Sequence, residues 1–155
     1  MAIYKAVLHH SGNRLPEWYL EAVGVLVSRL NGCSYCAGHH SAGLQRLLNA
    51  ESLDAGCYIA ALEKDVPGEP FTAKEQLGLA YARKLTVTPG QIGSADINAL
   101  REAGFEDGEI LELNQVAAYF AYANRTVTGL GVNSEGEVLG QSPKTGGDES
   151  GWSHG

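Results

Sequence analysis

A chain of 155 residues, 44% hydrophobic and 19% charged, has the size and composition of one soluble globular domain able to bury its own core. Its formal net charge of -7, with no run of basic residues, argues against a nucleic-acid partner, because phosphate binding relies on clustered Lys and Arg. No stretch approaches the roughly 18 consecutive apolar residues that a membrane span requires.

Taken in chain order, the opening segment Met1–Leu8 is too short and mixed for the apolar core of a secretory signal, and His9, His10 and Ser11 interrupt it. A cytoplasmic setting is therefore expected. The first helical pattern runs from Pro16, suited to a first helical position, through Leu15, Trp18, Tyr19, Ala22, Val23, Leu26 and Leu30 to the stop Asn31-Gly32. A second helix is expected from Cys33 or Ser34 to about Asn49, and a third from about Ser52 to Leu62. Thr72-Ala73-Lys74-Glu75 has the spacing of a capping box and opens a fourth. After a loop at Pro89-Gly90, a short helix near Ala95–Ala103 is ended by Gly104, and Asp107 is placed to cap the last, 108–128.

From Ile110 to Ala123 that last helix is apolar nearly all round, a pattern that predicts burial on most sides, within a bundle or against another subunit. Residues 133–155 turn to Gly, Ser and charged types, with little beyond Val138, Leu139 and Trp152 to bury. The organisation expected is one all-α domain over 1–132 and a tail over 133–155, flexible or draped on a neighbour.

The reactive side chains concentrate in Cys33-Ser34-Tyr35-Cys36-Ala37-Gly38-His39-His40. On a helix beginning near Cys33, Cys36 lies one turn on and His40 one turn beyond, so the two sulfurs can meet and an imidazole can reach the second. A helix N-terminus favours thiolates, and a hydrogen-bonded His can take the thiol proton. One cysteine can then attack an electrophile and the other close a disulfide. Cys36 is expected to attack because His40 is near it, and Cys33, at the helix mouth, to be the more accessible, resolving sulfur. Zinc is the competing use of Cys33, Cys36 and His39 or His40, but a second ligand pair at finger-like spacing is missing. Haem attachment needs His directly after the second Cys, where Ala37 stands. No metal or cofactor is expected. Cys57 reads as an inert core thiol. His39 reads as a surface or interface residue. The sequon Asn124-Arg125-Thr126 is set aside because it lies in a helix. Tyr119, Phe120 and Tyr122 read as core or interface residues before pocket walls.

Glu21, ahead of the cysteines, completes the pattern Glu21…Cys33-x-x-Cys36-x-x-x-His40. With the run from Ala22 to His40, and with Ala118–Arg125 followed by Gly129-Leu130-Gly131-Val132, it resembles the carboxymuconolactone decarboxylase-like superfamily, in its AhpD-type alkylhydroperoxidase, peroxidase-related branch. The resemblance spans about residues 15–140. It implies an AhpD-like helical bundle assembled into trimers or hexamers. It also implies reduction of small-molecule peroxides by cysteines cycling between dithiol and disulfide, with an external dithiol reductant, lipoyl-type carriers included. Cys33 and Cys36 are then the redox pair, His40 the proton-handling base and Glu21 its acidic partner. Read alone, Glu21 would be an ordinary solvated helix residue. One departure stands out: Tyr35 occupies the place of a His in the alkylhydroperoxidase relay, and a phenol is a poor base at neutral pH. The alternatives are a thiol–disulfide oxidoreductase acting on a protein or lipoyl-type disulfide, and a helical oligomer sensing metal or redox state.

Overall fold

The computed structural model describes residues 2–64 and 66–140 and contains, among them, helices and turns but no strand. In order these are α1 (Ala2–Leu8), α2 (Glu17–Leu30), α3 (Ser34–Ala50), α4 (Ala55–Ala61), α5 (Ala73–Val87), a 3-10 turn (Pro89–Gln91), α6 (Ser94–Glu102) and α7 (Asp107–Gly129). Among the described residues no helix is long and apolar enough to cross a membrane.

The helix starts follow local chemistry. Thr72 and Glu75 form the expected capping box, Thr72 Oγ1 accepting the Glu75 N–H and Glu75 accepting the Thr72 N–H. Pro16 is the N-cap of α2 rather than its first residue, and Glu106, not Asp107, precedes α7. The third helix is shorter than expected. Ser52 takes a positive φ of 59°, and Asp54 then caps α4 by accepting the Cys57 N–H. The 3-10 turn occupies the expected loop at Pro89-Gly90.

The structure adds one helix that the sequence did not suggest and overturns one expectation. The helix α1, unrecognised in the sequence, forms because Asn13 donates its amide to the carbonyls of Val7 and Leu8, and because Tyr4 and Leu8 are buried in the core. Cys57 is exposed, not a core thiol. The inner face of α4 is made by Ala55, Tyr58 and Ala61, which turns Cys57 outward, with its thiol 3.3 Å from Asp54 Oδ2.

The helix buried all round is α2, where every residue from Tyr19 to Ser28 is buried among α3, α5 and α7. By contrast α7 buries Ile110, Leu113, Val116, Ala117, Phe120 and Asn124 and turns Leu111 and Tyr122 to solvent, 56% and 61% exposed. Both helices have long apolar runs, but only α2 is central.

Close approach of α2 and α7 depends on Gly24, where an added Cβ would lie 2.3 Å from the Phe120 ring. Gly24→Ala should therefore destabilise the fold by about 1–3 kcal/mol despite alanine's better helix propensity, and lower the melting temperature by several degrees. Thermal denaturation checks this, and an unchanged or raised midpoint would contradict the packing.

From Asn133 the chain returns over α3. Glu137 meets Tyr35 and His39, Leu139 comes near Gly38, and the Gly140 carbonyl accepts from the Arg46 guanidinium. Gly140 has a φ of +72°, and a Cβ there would sit 2.6 Å from Ala42. The expected tail lies, from 141 on, outside the described residues.

Candidate active site

The site forms where α2 ends and α3 begins. Gly32, at a φ of +71°, closes α2, its N–H donating to the Arg29 carbonyl while the Cys33 N–H reaches back to Ser28 O at 2.9 Å. This left-handed helix stop needs the glycine and sets Cys33 at the N-cap of α3. There its Sγ accepts the Cys36 N–H at 3.4 Å, so the first sulfur meets the free donors of the helix terminus. The sulfurs of Cys33 and Cys36, both free thiols, lie 2.6 Å apart.

Both thiols are buried, Cys33 at 2% and Cys36 at 5% exposure, so the expectation that Cys33 is the more accessible is not met. The N-cap position turns its side chain inward onto the first turn of α3 instead of out at the helix mouth. Burial, the largest cause, pushes the Cys36 thiol up to about 12; Cys33 beside it acts the same way, and the Asn124 side chain opposes them. Cys36 is therefore protonated at neutral pH, and its proton must be removed for it to react.

One turn further on, His40 holds Nδ1 at 2.7 Å from Glu21 Oε2. Its ring edge packs on Phe120 with 4.6 Å between centroids. Glu21 is 2% exposed, in contrast to the solvated residue its place on an amphipathic helix would suggest. Its second oxygen accepts from Tyr4 OH at 3.0 Å. A buried carboxylate held by two donors needs no solvent, and its contact selects the His40 tautomer with the proton on Nδ1, leaving Nε2 as a base. Among the described contacts, His40 makes no direct hydrogen bond to either sulfur. Burial and the Glu21 charge push the Tyr4 phenol up, so it stays a donor.

The four residues singled out in the sequence, Glu21, Cys33, Cys36 and His40, are thus gathered by α2 and α3. Tyr35 stands aside: its hydroxyl donates to Glu137 at 3.1 Å and its ring lies 4.4 Å from that of His39. Burial and that carboxylate push its phenol up, away from any role as a base. His39 Nε2 is 3.2 Å from Glu137 but off the line of a hydrogen bond. Phe120 is core, Tyr119 is half-buried beside Tyr4, and Tyr122 is exposed. Among the described residues no three His, Cys, Asp or Glu side chains converge as a metal-holding group.

Sequence reading missed two participants. Tyr4 gave no signal because α1 itself was not recognised. Asn124 did give one, as an amide one turn after Phe120 on a face otherwise apolar. A surface depression of about 410 Å³ between the 10–14 loop and α7, lined in part by His10, Arg14, Leu111 and Glu112, includes none of the four residues.

Solved structures share this architecture. An uncharacterized peroxidase-related protein from Silicibacter sp. TM1040 superposes with a TM-score of 0.76 at 27% identity, over 88% of this chain and 70% of that one. The alkylhydroperoxidase AhpD core of an uncharacterized peroxidase-related protein from Ralstonia eutropha JMP134 superposes at 0.72, also 27% identical, over 92% of this chain and 73% of that one. No protein-family model and no curated protein matches the chain. Fold and neighbours define an AhpD-like, all-helical single-domain protein. Within that class both of these structural neighbours are named as peroxidase-related proteins, the branch that the chain's resemblance in sequence implied.

Proposed function

We propose that the protein is a thiol-dependent peroxidase that reduces organic or hydrogen peroxides through a Cys33–Cys36 dithiol/disulfide cycle. The observation that carries this reading is the pair of sulfurs 2.6 Å apart beside the Glu21–His40 contact. In the first step His40, oriented by Glu21, takes the Cys36 proton through a bridging water or the substrate. The Cys36 thiolate attacks the distal peroxide oxygen, the O–O bond breaks, and the leaving alkoxide is protonated to the alcohol. Cys33 then attacks the Cys36 sulfenic acid, an S–S bond forms and water leaves. An external dithiol, lipoyl-type carriers included, returns two electrons and two protons. A reducing cytoplasm suits such a cycle.

Stopped-flow mixing of the reduced protein with several hydroperoxides, followed by mass analysis, tests it. One peroxide should be consumed per Cys33–Cys36 disulfide formed. Because burial raises the Cys36 thiol, its thiolate fraction grows about tenfold per pH unit below that value, and the rate should rise accordingly through the mildly alkaline range. The same shift means the native state holds the proton longer than the unfolded chain. Its contribution to stability is present below the unfolded thiol's pKa and is lost as pH rises through the folded one. Absence of peroxide turnover would refute the reading.

A second reading, thiol–disulfide oxidoreductase on a protein or lipoyl-type disulfide, is favoured by the Cys33 sulfur sitting at a helix N-terminus. Rapid disulfide exchange without peroxide consumption would select it.

The peroxidase is also proposed to be a homo-oligomer, with a second copy covering the apolar outer face of α7 at Leu111, Ala118 and Tyr122. The resemblance implies trimers or hexamers. Light scattering at micromolar concentration should give a multiple of 16.4 kDa, and a monomeric mass would contradict it.

A further inference from the structure

Among the described residues, cysteines and tyrosines aside, three polar or charged side chains are buried: Glu21, Ser28 and Asn124. Glu21 holds His40. Ser28 and Asn124 are bonded to each other, Asn124 Nδ2 donating to Ser28 Oγ at 3.0 Å. At the other end of the amide, Asn124 Oδ1 accepts from Asn31 Nδ2, also at 3.0 Å. One side chain of α7 thus grips the last turn of α2 and the residue that caps it. An enclosed polar pair of this kind adds little net stability over well-packed apolar residues. It does fix one arrangement, since breaking it leaves unpaired groups behind.

The arrangement it fixes is the approach to the thiols. Asn31 immediately precedes Gly32, whose φ of +71° turns the chain out of α2. The Ser28 carbonyl accepts the Cys33 N–H at 2.9 Å, so both residues held by Asn124 bear on the backbone that delivers Cys33. We propose that Asn124 is a positioning residue for the redox pair. By gripping Ser28 and Asn31 it keeps the Cys33 sulfur at the 2.6 Å from that of Cys36 which favours the disulfide. The disulfide is held by its own covalent bond, whereas the dithiol has only the turn to keep its sulfurs together. Releasing the turn opens to the dithiol arrangements that the disulfide lacks, and lowers the effective concentration of one thiol at the other. The clamp rests on the proposed Cys33–Cys36 cycle, but not on peroxide as the oxidant.

Equilibration with glutathione tests it, in a Cys57→Ser background that leaves the pair as the only thiols of the chain. Oxidised glutathione gives up its S–S bond as one forms between Cys33 and Cys36, and the two thiol protons pass to two reduced glutathiones. Acid quenching and mass analysis give the disulfide fraction across the ratio of the two forms. Asn124→Leu should lower the equilibrium constant for the protein disulfide about tenfold, about 30 mV for this two-electron couple. Asn31→Ala and Ser28→Ala each remove one of the two bonds and should lower it about threefold. If circular dichroism shows that Asn124→Leu does not fold, these two carry the test. Thr72→Ala is the control: it removes the cap of α5, weakens the fold away from the turn, and should keep the parent constant. An equal fall in Thr72→Ala would mark general loosening and overturn the proposal. A parent that forms no Cys33–Cys36 disulfide at any ratio would overturn both the cycle and the clamp. Variants that match or exceed a parent that does form it would overturn the clamp alone.

Discussion

Cys36→Ser should abolish peroxide reduction, lowering the rate by on the order of 10³-fold or more, about 4 kcal/mol of transition-state stabilisation. The expectation follows from the geometry around this sulfur. Cys36 lies one turn before His40 on the same helix, so a base is placed to serve this sulfur. Cys33, whose Sγ already accepts the Cys36 N–H, is placed to close the disulfide. Cys33→Ser should therefore still react once with peroxide and stop at a Cys36 sulfenic acid, trappable with dimedone and visible by mass. Cys36→Ser should yield no such adduct at Cys33. The reverse pattern would exchange the two roles. Failure of either variant to alter turnover would remove the cysteine pair from the chemistry altogether.

Glu21→Gln should leave the fold nearly intact and lower peroxide reduction by about 10²- to 10⁴-fold, the range typical of a disabled general base. The amide matches the carboxylate in shape and can keep an oxygen toward Tyr4. Toward His40 it then presents N–H where the carboxylate accepts at 2.7 Å. His40 must answer with an unprotonated Nδ1, which moves its proton to Nε2 and removes the free base. The neutral amide also no longer stabilises the imidazolium formed when a thiol proton arrives. His40→Ala should lose a similar factor, and the double variant should lose little more than either alone, because the two act as one unit. Steady-state turnover with a dithiol reductant provides the measurement, with circular dichroism as the control for folding. Additive losses would mean that Glu21 and His40 serve separate purposes.

How much of this was legible in the sequence differs from element to element. The helices α2, α3, α5 and α7 were visible because periodic apolar positions and strong local signals, Gly32 and the Thr72–Glu75 box, act over a few residues. The relative register of Cys33, Cys36 and His40 was equally local, since one helix carries all three. Glu21 was visible only through the resemblance to a family, because nothing in its own neighbourhood distinguishes a buried helix carboxylate from a solvated one.

Tertiary contacts decided the rest. The short α1 has too few residues to be stable by propensity and exists through burial of Tyr4 and Leu8 and the Asn13 cap. Only with α1 in place does Glu21 gain its second donor. Two apolar runs competed for the centre of the bundle, and helix packing around α2 awarded it to residues 19–28, leaving an apolar face of α7 toward solvent. Cys57 turned outward because α4 is too short to choose its own buried face. Sequence by itself determined the helical class and the juxtaposition of the cysteine pair with its neighbouring imidazole, because those depend on spacing along one chain segment. The burial of the thiols, the Tyr4–Glu21–His40 chain and the hydrogen bonds of Asn124 with Ser28 and Asn31 were decided by the tertiary structure, because each joins residues from different helices and has no expression in local spacing.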